Sequence, residues 1–108
     1  MRRGDIVVVS ASGSYGKPRP AVVIQSDWMV ATESVLVALI TSTVIDAPLF
    51  RLSLEPSASN GLKMPSQVMI DKILALPRDK CSAAIGHIDQ AAQIGLNTML
   101  SVVIGLAD

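Results

Sequence analysis

Lys17-Pro18-Arg19-Pro20-Ala21-Val22-Val23-Ile24-Gln25-Ser26 decides how the rest of the chain is read. An arginine lies between two prolines and feeds directly into an apolar, largely β-branched run. Each proline fixes its own φ and drives the preceding residue toward extended backbone. Arg19 therefore starts a strand from a narrow range of directions, at a rim, with a charge that does not titrate away. The strand predicted over Pro20 to Gln25 has the continuous apolar character of a segment buried on both faces, or of a barrel wall. A guanidinium held at such a rim suits an anion. The same residues also suit a plain turn with a solvated arginine, and the pattern alone leaves both open.

Outward from this stretch, Asp5 to Ser10 reads as a first strand bounded by Gly4, and Ala11 to Lys17 has the Ser/Gly composition of a mobile loop. Ser26 to Glu33 is a connection whose Trp28 is expected to cover the barrel or lie at an interface. Ser34 to Thr41 is the strongest strand and ends in three hydroxyls, Thr41-Ser42-Thr43. Phe50 to Leu54 alternates, which assigns Arg51 and Ser53 to the wet face. Glu55 to Met64, with Pro56, Asn60 and Gly61, is a loop or short turn. Gln67 to Asp71 and Lys72 to Leu76 form two short strands or one bent strand, broken by Pro77-Arg78-Asp79. From Asp89 the period changes: Asp89 is an N-cap, Gly105 a stop, and 90–104 a helix. Its apolar face is Ala92, Leu96, Met99, Leu100 and Val103, beside a polar stripe of Gln93, Asn97 and Ser101. Gly95 inside it costs about 1 kcal/mol relative to alanine and permits close packing. The expectation is a mainly β fold with a C-terminal α-helix docked on a small barrel-like sheet.

The 108 residues fill one domain with one core. Only Tyr15, Trp28 and Phe50 are aromatic, so that core must be aliphatic. The longest apolar stretches, such as Ile6–Val9 and Val35–Ile40, are too short to cross a bilayer. No apolar secretion segment follows Arg2 and Arg3, and the single Cys81 excludes an internal disulfide, which together point to a cytoplasmic protein. Nine basic and nine acidic residues cancel, so no global field advertises nucleic acid. Residues 1–25 nevertheless hold Arg2, Arg3, Lys17 and Arg19 against Asp5 alone, compatible with one anion-binding face or with scattered solubilising charge.

Elimination narrows the chemistry. His87 is the one histidine, and neither it nor Cys81 belongs to a recognisable metal-ligand spacing. Phosphate-loop, dinucleotide and nucleophile-elbow motifs are absent, and a two-histidine ribonuclease cannot be assembled within one chain. What remains is arginine with hydroxyls. RNA can be cut without metal when its own 2′-hydroxyl attacks the adjacent phosphate, provided the charged phosphorane is neutralised and two protons move. Arg19 and Thr41, both read as strand ends, could meet around such a phosphate, though the sequence does not show that they do.

Arg3-Gly4-Asp5-Ile6-Val7, Arg19-Pro20-Ala21-Val22-Val23-Ile24-Gln25-Ser26-Asp27 and Leu39-Ile40-Thr41-Ser42 occur in the order seen in the MazF/PemK family of toxin endoribonucleases. Ser66-Gln67-Val68-Met69-Ile70-Asp71-Lys72-Ile73, Ile85-Gly86-His87-Ile88 and Ile104-Gly105-Leu106 extend the resemblance over nearly the whole chain. The resemblance implies one toxin domain over 1–108, folded as an SH3-like antiparallel barrel and assembled as a homodimer. It further implies the toxin of a bacterial type II toxin–antitoxin pair, which cleaves single-stranded RNA without metal or cofactor, leaves a cyclic phosphate, and is neutralised by a cognate antitoxin protein. Arg19 matches the family's catalytic arginine, Thr41 its catalytic threonine, and Asp71 a carboxylate that some members use for RNA contact or proton transfer. Lys17, Tyr15 and Ser42 are the substrate-binding candidates, Tyr15 as a stacking surface for a base. The chain departs from the family's pattern in the 11–18 loop, which lacks the frequent Gly-x-Glu and the occasional histidine, and at Met69, where some members carry arginine. Two rival readings stay open: a CcdB-like toxin that poisons gyrase without nuclease activity, and a barrel that serves only as an interaction module.

Overall fold

A computed structural model of the chain describes residues 1–10 and 17–108. Among them, strands β1 (Asp5–Val9), β2 (Arg19–Val23), β3 (Ser34–Thr41), β4 (Arg51–Leu54), β5 (Ser66–Pro77) and β6 (Gly86–His87) precede helix α1 (Gln90–Val103). The strands pair antiparallel in the order β4-β5-β3-β2-β1-β6.

The apolar run after Arg19 is a wall between two cores. Val22 belongs to one cluster with Ile6, Ala38, Ile40, Val68, Ile70 and Leu96, whereas Ala21 and Val23 belong to another with Val7, Val9, Val37, Leu39 and Met69. Pro20 is tolerated because its β1 partner Val8 turns its own N–H and C=O to Ser82, and the ladder with β3 begins only at Ala21, so no ladder bond needs a Pro20 N–H. The strand ends at Val23 rather than Gln25. Gln25 turns its side chain into the ladder, with Oε1 accepting from Leu36 N at 3.2 Å, so its backbone leaves the sheet.

The segment predicted as two short strands or one bent strand is a single bent strand, β5. Its register against β3 breaks between Ala38, opposite Ile73, and Ile40, opposite Val68, so β5 carries extra residues there and bends. Beyond β5 a 3-10 turn, Arg78–Lys80, takes the chain to the far side of the sheet. There Cys81 bridges to Val9, Ser82 N donates to Val8 O (2.8 Å) and Ile85 N donates to Ile6 O (2.8 Å). A chain that leaves beside β3 and returns beside β1 curls the sheet into a half-barrel. The second cluster is then lined by strand residues and Cys81 alone, while the first is covered by α1. Arg78 ties down the 26–33 connection, donating from Nε to Thr32 O (2.7 Å) and from Nη2 to Met29 O (3.0 Å). Trp28 on that connection does not cover the barrel; it is 93% exposed.

Asp89 caps α1, its Oδ1 accepting from Ala92 N at 2.8 Å. Gly105 follows the helix at φ +82°, the left-handed geometry that favours glycine. Leu96 is fully buried, with Ala92, Met99 and Leu100 packed around it. Gly95 does allow close approach, since a β-carbon there would lie 3.1 Å from Leu52 Cδ1 of β4. Val103, assigned to the apolar face, is 38% exposed, because the helix runs past the sheet at its C-terminal end, where Ile104 and Leu106 are exposed too. Leu96→Ala removes the helix's one fully buried side chain and is expected to cost about 2–5 kcal/mol, whereas Asp89→Ala costs about 1 kcal/mol. Urea unfolding followed by circular dichroism measures both, and a larger loss for Leu96→Ala than for Asp89→Ala checks the packing of α1 on the sheet.

Candidate active site

The register of β2 against β3 builds the site. Ala21 faces Leu39 and Val23 faces Val37, and the same register continued two residues past Ala21–Leu39 sets Arg19 opposite Thr41. Strand periodicity keeps these residues on one face. The inner members of the two rows are buried; the outermost pair emerges at the rim, Arg19 exposed and Thr41 half-buried. Arg19 and Thr41 line one cleft of about 390 Å³, together with Ser42, Thr43, Lys63 and Ser66, between walls of Pro20, Ile40, Leu62 and Met64.

Two cations and a run of hydroxyls thus meet without a carboxylate among the described lining residues. The Thr41 hydroxyl has a fixed role in its own turn: Oγ1 accepts from Thr43 N at 3.1 Å. With that lone pair used, the Thr41 proton is available to donate outward. Ser66 is committed internally, Oγ donating to Met64 O at 2.9 Å. Such a cleft can hold a phosphate through charge-assisted hydrogen bonds and stabilise added negative charge on it.

The other sequence-predicted residues are placed less closely. Ser42 lines the cleft and is exposed. Lys17 is exposed two residues before Arg19 but does not line it, and Asp71 is an exposed β5 residue in the bent stretch between Val68 and Ile73, also outside the lining. Tyr15 lies outside the described residues. Lys63 is the cation that sequence reasoning missed. It belongs to the loop before β5, and nothing local in Gly61-Leu62-Lys63-Met64 marks it, because only the β3–β5 pairing brings that loop to the end of β3.

The basic N-terminal quarter does not form one face. Arg2 lies 3.7 Å from Asp27, and Arg3 donates from Nε to Ile24 O at 2.9 Å and from its backbone N to Asp27 Oδ1 at 2.7 Å. Both are anchored past the far end of β2, about 13 Å of strand from Arg19. Arg51 also departs from its wet-face assignment: its Nη1 donates inward to Thr43 O and to Gln67 Oε1, each at 3.2 Å. Burial pushes the Cys81 thiol up, against the opposing effect of Arg78 and with a further rise from Asp79, so the thiolate is disfavoured and Cys81 is a packing residue. His87 is exposed in β6, opposite Asp5 and away from the cleft. Among the described residues no three His, Cys, Asp or Glu side chains gather, and no helix is long and apolar enough to cross a membrane.

Residues 2–104 match the family model described as PemK-like, MazF-like toxin of type II toxin-antitoxin system. The chain is 41% identical to a probable endoribonuclease MazF of Mycolicibacterium smegmatis, over 99% of each protein. Among solved structures it superposes on the Mycobacterium tuberculosis toxin MazF-mt6 with a TM-score of 0.80 at 22% identity, covering 94% of this chain and 96% of that one. A mycobacterial endoribonuclease in complex with its cognate antitoxin gives a TM-score of 0.79 at 21% identity, covering 98% and 96%. Likeness at this level of identity establishes the fold, while the family model and the close relative establish descent. The chain belongs to the PemK/MazF family of type II toxin–antitoxin toxins.

Proposed function

We propose that this chain is a metal-independent endoribonuclease that cuts single-stranded RNA in the cytoplasm, and that Arg19 and Thr41 carry the chemistry. The observation that supports this most directly is that both line one cleft at the rim where β2 and β3 end, with Lys63 and Ser42 and without a carboxylate among the described lining residues. The 2′-hydroxyl of one nucleotide gives its proton to water as its oxygen attacks the neighbouring phosphorus, the bond to the 5′-oxygen of the next nucleotide breaks, that oxygen takes a proton from water and leaves as a hydroxyl, and a 2′,3′-cyclic phosphate remains. Arg19 neutralises the phosphorane oxygens and Lys63 adds a second point charge. Thr41 and Ser42 donate hydrogen bonds to the same oxygens. Asp71, exposed but outside the cleft, is a peripheral RNA contact in this reading, and Lys17 a phosphate contact beside Arg19. The probable MazF relative and the antitoxin-bound mycobacterial endoribonuclease support the same activity and a protein antitoxin as partner. The homodimer belongs to the proposal as well: Ile94, Ile104 and Leu106 leave an apolar surface along α1 and its end. Sedimentation should give twice the 11.4 kDa chain mass.

Incubation of the purified protein with a long RNA in EDTA tests the activity. Cleavage at defined sites is expected, whereas intact RNA together with inhibited DNA gyrase would transfer the chain to the CcdB-like reading. Intact RNA with gyrase unaffected would leave an interaction module.

Arg19→Ala and Thr41→Ala are each expected to lower kcat by about 10²–10³-fold. Because Arg19 is exposed at a rim, Arg19→Ala should change unfolding free energy by less than about 0.5 kcal/mol. Asp71→Asn should cost less activity than either. A folded Arg19→Ala protein with full activity removes Arg19 from the mechanism.

RNA affinity should fall with rising salt, and Lys63→Ala should flatten the dependence of log Kd on log salt by about 0.7, the slope of one single-strand phosphate contact. Fluorescence anisotropy with a labelled oligonucleotide reads this; an unchanged slope would take Lys63 off the phosphate.

A further inference from the structure

The hydroxyls of the cleft sit on a segment that the sheet does not hold. The β3 ladder ends at Thr41, and residues 42–47 have no regular secondary structure. Apart from Ala47 O, which accepts from Phe50 N and Arg51 N, three polar contacts tie it to the rest of the fold, and they converge on two side chains that do not line the Arg19–Thr41 cleft. Gln67 is the Cα partner of Thr41 and is 4% exposed. Its Nε2 donates to Ile45 O at 2.9 Å and its Oε1 accepts from Ile45 N at 3.1 Å, a two-bond ring of the kind an antiparallel strand residue would make. The same Oε1 accepts from Arg51 Nη1, which also donates to Thr43 O. Reversing the amide would set donor against donor at Ile45 N and at Arg51, so its orientation is fixed by its partners. Thr43 in turn gives its N–H to Thr41 Oγ1.

We propose that Gln67 and Arg51 are positioning residues for the hydroxyl side of the cleft, acting through the backbone of residues 43–45. The proposal rests on the nuclease reading of Thr41. Gln67 substitutes a side-chain amide for the absent strand, and Arg51 fixes the Thr43 carbonyl, so that the Thr43 N–H orients the Thr41 hydroxyl toward the cleft. This explains why a buried glutamine lies in an otherwise aliphatic stretch of β5, and why Arg51 is drawn inward although its buried Nε has no hydrogen-bond partner.

Gln67→Met keeps the length of the side chain and removes the amide. Single-turnover cleavage of a labelled RNA should show kcat lowered about 10- to 100-fold and KM held within about twofold. The Ile45 amide should exchange faster with deuterium than in the wild type. In a Thr41→Ala background Gln67→Met should cause no further loss, because it acts through that hydroxyl; losses that multiply in the double variant would overturn the proposal. Wild-type kcat in Gln67→Met beside a slow Thr41→Ala would also overturn it, as would an unchanged Ile45 exchange rate. Should Gln67→Met fail to fold, Arg51→Met makes the same test, since it deletes the bond to Thr43 O together with the unpartnered Nε. Full activity in Thr41→Ala is the separate outcome that removes the underlying reading of Thr41, and this proposal with it.

Discussion

The pairing of β2 with β3 in a single register, Ala21 on Leu39, is the constraint from which the site follows. It is enforced by burial on both faces of the strands. Val22 and Ala38 point to the core under α1, while Ala21, Val23, Val37 and Leu39 point to the core inside the half-barrel. A slip of one residue would send every one of these side chains to the opposite cluster, where volumes and neighbours differ. Aliphatic packing therefore fixes the relative position of a guanidinium and a hydroxyl that themselves contribute little to stability. The prolines on either side of Arg19 add local stiffness at the point where packing ends.

Rigid and irregular parts divide the work. Arg19 comes from a strand end set by the ladder, and its angle is inherited from the sheet. The hydroxyls come from a turn beyond the ladder, whose backbone polar groups would otherwise depend on solvent. Buried amide-to-backbone bonds replace the missing strand pairing there, and because they are buried, leaving one unmade carries a desolvation cost that discourages alternative turn conformations. Lys63 arrives by a third route, a loop brought in by β5. Charge, hydroxyl and second cation are thus delivered by separate elements, each with its own means of support.

Local patterns made much of this legible. The β3 span, the Asp89 cap, the Gly105 stop and the apolar stripe through Leu96 each depend on near neighbours in sequence, and propensity and periodicity read such signals well. Arg19 and Thr41 are legible as two strand ends, but nothing in the sequence shows that those ends share a cleft. Long-range pairing hid the rest. β6 was missed because it is two residues long and exists by virtue of lying beside β1. Arg51 looked solvent-facing because alternation in β4 does not show that a residue opposite Met69 will reach Gln67 and Thr43. The N-terminal basic excess looked like one face because a count has no coordinates; a turn carrying Asp27 draws Arg2 and Arg3 to the opposite end of β2. Lys63 carried no signal before the β3–β5 register was known.

A chain with no net charge can still present a cationic cleft, provided its carboxylates lie outside the lining. Asp5 accepts from Arg2 N, Asp27 holds Arg2 and Arg3, and Asp89 caps α1, each satisfying backbone or a neighbouring arginine far from Thr41. Within a Debye length of about 8 Å in physiological salt, a polyanion at the rim responds to Arg19 and Lys63 rather than to the chain total. Zero net charge also keeps long-range attraction to nucleic acid weak, so discrimination falls to the few groups in contact. For a nuclease working among abundant structured RNA, that sorting favours strands able to enter the cleft over any RNA that merely approaches the surface.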